Sequence, residues 1–204
     1  MFLSVEISSY NRWPILRQGL DCLAAQTFPA SRFEVVVSDD ASTDGTRERI
    51  LEYASRAPFE MRLVDNDHAG CGATHNSGIR AARGDIVVMM ADDVLATPGL
   101  LAEHARLHEA HPDPAVGVVG RLEQSRTLPR TQFQLAWDPV VNAMFPKDRE
   151  EVDYRDFWVN NLSFKKDFML KYGMFHSWPV GSHEDVELGY RLQQNGMRLL
   201  FSDA

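Results

Sequence analysis

The chain has 204 residues, 44% of them hydrophobic, and 29 acidic against 21 basic residues give it a net charge of −8. This composition excludes disorder and low-complexity sequence as descriptions of the whole chain, and the length suits one large domain. The acidic excess disfavours a protein that follows nucleic-acid phosphates, so we expect no nucleic-acid partner. Two cysteines, Cys22 and Cys71, are too few for a disulfide framework. They suit a reducing compartment, although one bridge between them stays open.

No apolar run approaches the roughly 20 residues that span a bilayer. The first six residues lack the basic start of a signal peptide and carry Glu6 within their apolar run. We therefore expect a cytoplasmic protein without a transmembrane segment, and peripheral membrane association stays open.

Short apolar runs alternate with helical patterns through the first 120 residues. The predicted strands are residues 3–8, 33–38, 61–64, 85–90 and 115–120. The predicted helices are residues 14–26, 46–57, 72–82 and 98–111. Strands that alternate with helices form right-handed crossovers on a mostly parallel sheet. The pattern predicts an α/β fold, a Rossmann-like, mostly parallel sheet with helices on both faces.

The pattern changes over residues 121–158, where aromatic residues stand among prolines and charges without clean periodicity. This stretch is too short for a core of its own, so we expect an excursion that faces the substrate. Regular patterns then return. They predict a strand at residues 160–164, helices at 165–172 and 184–195, and a last strand at 197–202.

Acidic pairs follow two of the predicted strands. Asp39 and Asp40 come after the second strand, and Asp92 and Asp93 after the fourth. Ligands of open α/β sheets bind at the carboxyl ends of strands, where adjacent carboxylates suit Mg²⁺ or Mn²⁺ and can accept hydrogen bonds from a base or ribose. The alternative is structural, with Asp39 starting a turn and Asp44 capping the next helix.

Other kinds of site are less well supported. Gly70-Cys71-Gly72 precedes a helix, but the third glycine of a dinucleotide fingerprint falls at His75. No nucleophile elbow is present and neither cysteine has a histidine partner in the sequence pattern, which disfavours hydrolases. His104, His108 and His111 share a helix face without an acidic partner, so we expect them to be solvated.

Six short blocks stand in a fixed order along the chain. They are residues 8–12, 39–46, 70–78, 82–85 with 91–93, 160–164 and 183–192. In this order they resemble the family 2 glycosyltransferases, whose fold is called GT-A, and the resemblance covers residue 3 to the last residue. The final block, His183 to Leu192, is particularly similar to that of bacterial chondroitin-type polymerases.

The resemblance implies a nucleotide-diphosphate-sugar donor (a UDP-sugar is favoured), a hydroxyl acceptor on a glycan or glycoconjugate, inversion at the anomeric carbon, and a Mn²⁺ or Mg²⁺ ion. It makes residues 1–204 one domain, with a nucleotide-binding half in 1–120 and an acceptor and catalytic half in 121–204.

The residues that it assigns to the nucleotide and donor are Ser8, Tyr10, Asn11, Asp40, Asn76 and Asp92. The metal ligands are Asp93 and Asp92. The catalytic residues are Asp185, as base, and Glu184 beside it. The acceptor and sugar pocket takes Asn160 and Asn161, and Trp178 offers an apolar platform for a sugar ring.

Inverting transfer needs a base that takes the proton of the attacking hydroxyl. Asp185 is expected at a helix N-terminus, where backbone amides should lower its pKa and keep it ionised. The alternative for Glu184 and Asp185 is compensation of the helix dipole in the first turn. Glu187 and Arg191, four residues apart, are expected to form an ion pair on the same helix.

The sequence also departs from the family pattern. Ala91 replaces the first aspartate of the D-x-D motif, and His75 stands where an arginine is often found. Family members usually carry a metal-binding histidine shortly after the final strand, so we expect this chain to be a truncated form with an incomplete metal site. Two alternatives stay open at this stage: a catalytically silent module that binds nucleotide sugars, and a sugar nucleotidylyltransferase, which would need a glycine-rich loop near the N-terminus.

Overall fold

The computed structural model describes residues 1–125, 131–144, 149–176 and 183–203. The strands are β1 Leu3–Ser9, β2 Phe33–Asp39, β3 Glu60–Asp65, β4 Ile86–Met90, β5 Val116–Gly120, β6 Glu151–Val152, β7 Asn161–Lys165 and β8 Arg198–Ser202. The α-helices are α1 Trp13–Ala24, α2 Thr46–Ala54, α3 Cys71–Ala81, α4 Leu100–Ala110, α5 Gln132–Met144, α6 Lys166–Tyr172 and α7 Glu184–Gln194.

Within these ranges the strands form one sheet in the order β3-β2-β1-β4-β7-β5-β8-β6. Strands β1 to β4 are parallel where they pair, and β5 is parallel to β8. Strand β7 lies between β4 and β5 and is antiparallel to both, and β6 is antiparallel to β8. The predicted α/β fold with a mostly parallel sheet is confirmed.

Apolar side chains cover both faces of the sheet. On one face, Leu16 of α1 and Leu101 of α4 pack in a cluster with Val5 of β1. On the other face, Ile79 of α3 and Leu188 of α7 belong to a second cluster. Successive residues of a strand point to opposite faces, so β4 contributes Val88 to the first cluster and Met89 to the second.

The second half of the chain differs most from the sequence prediction. Helix α5 forms in the stretch for which no periodicity was predicted, and its exposed rings of Phe133 and Trp137 stack 5.7 Å apart.

In the part of the chain that the structure describes, no helix combines the length and apolar character needed to cross a membrane.

The prediction that the histidines of α4 are solvated is wrong. His104 and His108 are 3% and 1% exposed and lie against β7, while His111 after the helix is half-buried. The two cysteines, Cys22 and Cys71, form no disulfide bond with each other.

Candidate active site

The topology brings the acidic pairs to one edge of the sheet. Strands β1, β2 and β4 are parallel, so their carboxyl ends at Ser9, Asp39 and Met90 lie at that edge. Because β7 is antiparallel to β4, its first residue, Asn161, pairs with Met90 there. Helix α7 crosses back to β8, which is parallel to β5, so α7 begins, at Glu184, on the same side.

Asp40, directly after β2, is 6% exposed and closely held. Its Oδ1 accepts hydrogen bonds from the backbone N–H of Ala69 at 3.0 Å and from the hydroxyl of Thr74 at 2.9 Å. Its Oδ2 lies 3.0 Å from Nδ1 of His68. The carboxylate therefore binds the loop before α3 to the end of β2. Its Oδ2 faces the imidazole of His68.

An aromatic pair flanks Asp40. The ring of Tyr10, a residue that is 40% exposed, lies 4.6 Å from the ring of His68 at an interplanar angle of 32°. Ser8, near the end of β1, is half-buried and pairs with Ser38 of β2. Aromatic faces stack on nucleobases, so Tyr10 and His68 offer a surface for a base beside a hydrogen-bonding carboxylate.

Arg12 connects the two carboxylates of the second acidic pair. Its guanidinium lies 3.0 Å from Oδ1 of Asp92 and 3.0 Å from Oδ2 of Asp93. The other oxygen of Asp92 accepts a hydrogen bond from the hydroxyl of Ser9 at 2.9 Å. Burial raises the pKa of Asp92, although the Ser9 hydroxyl and the Arg12 charge favour its ionised form. The guanidinium offsets the repulsion between the adjacent carboxylates.

Asp93 is the carboxylate open to a cation, since its side chain is 53% exposed against 6% for Asp92. Among the described residues, no group of three or more His, Cys, Asp and Glu side chains is arranged to hold a metal ion. Mg²⁺ and Mn²⁺ complete their coordination with phosphate oxygens and water. The donor set fits a cation shared between Asp93 and a diphosphate better than one held by the described side chains alone.

The side chains of Asn11 and Asn76 are bonded to backbone groups. Asn11 Oδ1 accepts hydrogen bonds from the N–H groups of Thr43 at 2.7 Å and Asp44 at 3.2 Å. Asn76, which is buried, donates to the carbonyl of Phe175 at 2.8 Å and accepts from its N–H at 2.9 Å. Both asparagines thus fix the chain segments that border the site.

A cleft of about 810 Å³ lies beside Asp93 and is lined in part by Arg121, Asn160 and Asn161. Asn160 is exposed, whereas Asn161 is 3% exposed and donates from Nδ2 to the carbonyl of Arg121 at 3.3 Å. The structure therefore brings both asparagines close to Asp93. The predicted platform, Trp178, lies outside the described residues.

Glu184 and Asp185 begin α7, where Oδ1 of Asp185 accepts a hydrogen bond from the N–H of Val186 at 2.8 Å. The predicted lowering of the Asp185 pKa is wrong. Burial raises the pKa of this half-buried carboxyl, and the charge of Glu184 adds to that effect, so together they outweigh the helix amides. A carboxylate with a raised pKa is a stronger base than an ordinary aspartate.

The ion pair predicted on α7 is confirmed. The guanidinium of Arg191 binds both oxygens of Glu187, at 2.5 Å and 3.0 Å. It also donates to the carbonyl of Met174 at 2.7 Å. The pair therefore fastens the flank of α7 to the segment that follows α6.

Residues 4–180 match the family described as Glycosyl transferase family 2. The chain belongs to this family. It is 30% identical over 231 residues to the validoxylamine A glucosyltransferase of Streptomyces hygroscopicus subsp. jinggangensis, an alignment that covers 98% of this chain and 53% of that protein. It is 27% identical over 134 residues to the poly(ribitol-phosphate) beta-N-acetylglucosaminyltransferase TarS of Staphylococcus aureus, covering 66% of this chain and 23% of TarS.

Solved structures show the same fold. TarS residues 1–349 in complex with UDP-GlcNAc superpose with a TM-score of 0.78 at 21% identity, covering 100% of this chain and 56% of that one. The mannosyltransferase PcManGT from Pyrobaculum calidifontis, in complex with GDP-Man and Mn²⁺, superposes with a TM-score of 0.74 at 25% identity, covering 98% of this chain and 54% of that one. The chain spans about half the length of the validoxylamine relatives, and the match to family 2 disfavours the nucleotidylyltransferase alternative.

Within this family 2 domain, sequence reasoning missed four residues that hold the site together. Ser9 and Arg12 bind the second acidic pair, and His68 and Thr74 bind Asp40. Ser9 and Arg12 stand in the first of the family blocks, so a signal was present. In the sequence, Arg12 is a positive charge in that block and Asp92 and Asp93 are adjacent carboxylates, and this complementarity of charge could have predicted that Arg12 binds the pair.

Proposed function

We propose that this chain is the catalytic domain of an inverting glycosyltransferase, which moves a sugar from a nucleotide-diphosphate-sugar to a hydroxyl group of a glycan or glycoconjugate. The observation that carries the proposal is the convergence of Asp40, the Asp92–Asp93 pair and Asp185 on one sheet edge in a family 2 domain. A UDP-sugar is favoured as donor, because TarS has been crystallised with UDP and with UDP-GlcNAc.

In this proposal the base stacks on Tyr10 and bonds to Asp40. Asp93 would hold a Mn²⁺ or Mg²⁺ ion beside the donor diphosphate, and Asp92, bonded to Ser9 and Arg12, would lie nearer the ribose. The complex of PcManGT with GDP-Man and Mn²⁺ supports a divalent ion as the cofactor. When bound, the ion supplies positive charge to the leaving diphosphate.

Asp185 takes the proton of the acceptor hydroxyl as its oxygen attacks the anomeric carbon from the face opposite the diphosphate. The bond to the diphosphate breaks as the new glycosidic bond forms, so the configuration inverts. Glu184 contacts the acceptor or the sugar beside it, and Asn160 and Asn161 border the pocket of the sugar. The similarity of residues 183–192 to chondroitin-type polymerases favours a glycan acceptor.

The test is calorimetry with UDP, GDP and dTDP in the presence of Mn²⁺, followed by an assay for nucleotide release from the sugar form of the tightest ligand. Binding of one nucleotide diphosphate and release that depends on the donor sugar support the proposal. Failure to bind any of the three would contradict it. A silent module is the second candidate, favoured by Ala91 and by the Arg12 contacts to both carboxylates. It would bind nucleotide without any release.

Asp40→Asn is expected to weaken UDP binding by about tenfold, or about 1.4 kcal/mol, because the amide puts a donor where a base or ribose donates. The amide oxygen can keep both bonds, from Ala69 and from Thr74, at the Oδ1 position, so the melting temperature without ligand should stay nearly unchanged. Asp39→Asn is the matched control. Asp39 accepts two bonds from Ser42 at 2.9 Å and 2.5 Å, so its loss should cost stability and leave the Kd of UDP within about twofold. Equal UDP affinity in both variants would refute the role of Asp40.

Arg12→Gln is expected to tighten Mn²⁺ binding in the absence of nucleotide by about threefold to fivefold. The guanidinium competes with a cation for Asp93, and an exposed ion pair is worth roughly 0.2–1 kcal/mol. Arg17→Gln removes the same charge from an exposed position of α1 and controls for the net charge of the protein. Titration of free Mn²⁺ by electron paramagnetic resonance measures both variants. An unchanged or weaker affinity in Arg12→Gln alone would show that the guanidinium does not compete.

A further inference from the structure

Five polar side chains form a continuous chain of hydrogen bonds between α4 and β7. His104 places Nε2 2.8 Å from Oδ1 of Asn161 and Nδ1 2.7 Å from the hydroxyl of Ser163. The same hydroxyl lies 2.8 Å from Nε2 of His108. Lys165 donates from Nζ to Nδ1 of His108 at 3.3 Å and to the carbonyl of His111 at 2.8 Å. None of these contacts enters the mechanism above.

The partners fix the direction of every bond. Asn161 donates from Nδ2 to the carbonyl of Arg121, so its Oδ1 is the acceptor and Nε2 of His104 must carry the proton. Lys165 has only donors, so Nδ1 of His108 accepts from it and Nε2–H of His108 donates to the oxygen of Ser163, which leaves the Ser163 hydroxyl proton for Nδ1 of His104.

Both imidazoles are therefore neutral, each with its proton on Nε2. Burial lowers the pKa of His104, and burial with the charge of Lys165 lowers the pKa of His108 to about 3. The bond directions and the burial of the rings agree, so the chain keeps one arrangement at neutral pH. It cannot pass a proton onward, because the amide of Asn161 ends it.

The chain of bonds ends at the cleft beside Asp93. Asn161 and Arg121 both line that cleft, and Asn161 is packed so tightly that a Cβ added at Gly120 would lie 2.2 Å from its Nδ2. We propose that His104 is a positioning residue: it holds the amide of Asn161 beneath the carbonyl of Arg121 and thereby sets the wall of the pocket for the donor sugar. This inference rests on the proposed function.

Two substitutions at one position separate positioning from packing. In His104→Gln the terminal amide nitrogen replaces Nε2 and keeps the bond to Asn161, whereas in His104→Asn the shorter side chain reaches Ser163 and loses Asn161. Each variant loses one buried hydrogen bond, so their melting temperatures should fall by similar amounts. Gly120→Ala is a third variant, which displaces Asn161 and leaves both histidines in place.

Calorimetry with UDP-glucose, UDP-GlcNAc and UDP measures the effect. His104→Asn and Gly120→Ala should raise the Kd of the UDP-sugar that wild type binds by about tenfold. They should leave the Kd of UDP within about twofold of wild type, because the base contacts lie at Asp40. His104→Gln should restore donor affinity to within about threefold of wild type. Equal losses in His104→Asn and His104→Gln, or equal losses for UDP and its sugar form, would overturn the positioning role.

Imidazole ¹⁵N shifts at pH 7 test the network without any donor. Nε2–H tautomers for His104 and His108, with the His104 signal altered in Gly120→Ala, support the inference. An Nδ1–H tautomer or a charged ring at either position would overturn it. If wild type binds UDP, UDP-glucose and UDP-GlcNAc with the same Kd, the sugar contributes nothing to binding and the positioning role is overturned. If it binds no nucleotide, the proposed function fails, while the tautomers still report whether His104 holds Asn161.

Discussion

Asp185→Asn is expected to lower kcat for sugar transfer by at least about a thousandfold, roughly 4 kcal/mol of barrier, while donor affinity changes little. The amide has nearly the shape of the carboxylate and still accepts the hydrogen bond from Val186, so the start of α7 should keep its structure. It cannot take the proton of the acceptor hydroxyl. Glu187→Gln is the matched control in the same turn, where loss of charge weakens the Arg191 pair but leaves the proposed base intact. Transfer by Asp185→Asn within about tenfold of wild type would mean that another group takes the proton.

The pH profile of kcat tests the same residue from its ionisation. Because burial and Glu184 raise the pKa of Asp185, activity should rise with pH through a midpoint above that of an ordinary aspartate. The ionised form is the active one, so activity is present above this pKa and is lost below it. Glu184→Gln removes one cause of the shift and should move the midpoint downward. A midpoint that stays in place in this variant would contradict the assignment.

The sequence was sufficient for the parallel part of the sheet, because strands buried on both faces appear as short apolar runs between helical patterns. It also located Asp40 and Asp93, since a carboxyl end of a strand can be identified once the strand is known. It was not sufficient for the place of β7. A strand that enters antiparallel between β4 and β5 is selected by long-range pairing, and its residue order carries no mark of direction.

The histidines of α4 show what a pattern on one element omits. His104 and His108 were expected to be solvated because the sequence pattern showed no close acidic or cysteine partner for them. Their partners are on β7, where Asn161, Ser163 and Lys165 alternate with apolar residues and lie on the face toward α4. Alternation of polar residues in a buried strand was therefore a signal that this sheet face carries hydrogen bonds.

The pKa of Asp185 was predicted with the wrong sign for a related reason. The position of a carboxylate at a helix N-terminus can be inferred from sequence, and the amide of Val186 does donate to it. The burial of Asp185 depends on how α7 packs against the rest of the domain, and the local sequence cannot predict that packing. Desolvation outweighs a helix-end interaction that is worth roughly 0.3–1 kcal/mol.

His75 and Glu6 form a buried ion pair among the described residues, and its loss should cost stability. Glu6 of β1 is 0% exposed, and its Oε2 lies 2.7 Å from Nδ1 of His75 on α3. Burial opposes the charge of His75, but Glu6 and a contact with Cys71 outweigh it and raise the pKa of His75 to about 10.

His75→Ala is expected to lower the free energy of unfolding by roughly 3–5 kcal/mol, because it leaves the carboxylate of Glu6 buried without its cation. The double variant Glu6→Met with His75→Phe removes both charges and keeps both volumes, and it preserves a ring 5.4 Å from that of Phe175. Its stability should stay within about 2 kcal/mol of wild type. Urea denaturation measures both variants. Equal losses in the single and double variants would show that volume, and not the unpaired charge, is responsible.

The same pair should make the stability of the wild type fall as pH rises. The folded pKa of His75, about 10, lies above its ordinary value of 6.5, so the folded state holds a proton that the unfolded chain releases. The stabilisation is complete below pH 6.5 and is lost as pH rises toward 10. The free energy of unfolding, measured at intervals from pH 6 to pH 10, should therefore decline more steeply in wild type than in the Glu6→Met/His75→Phe variant. Parallel curves for the two proteins would mean that His75 is neutral in the folded state, and that its bond to Glu6 is an ordinary hydrogen bond.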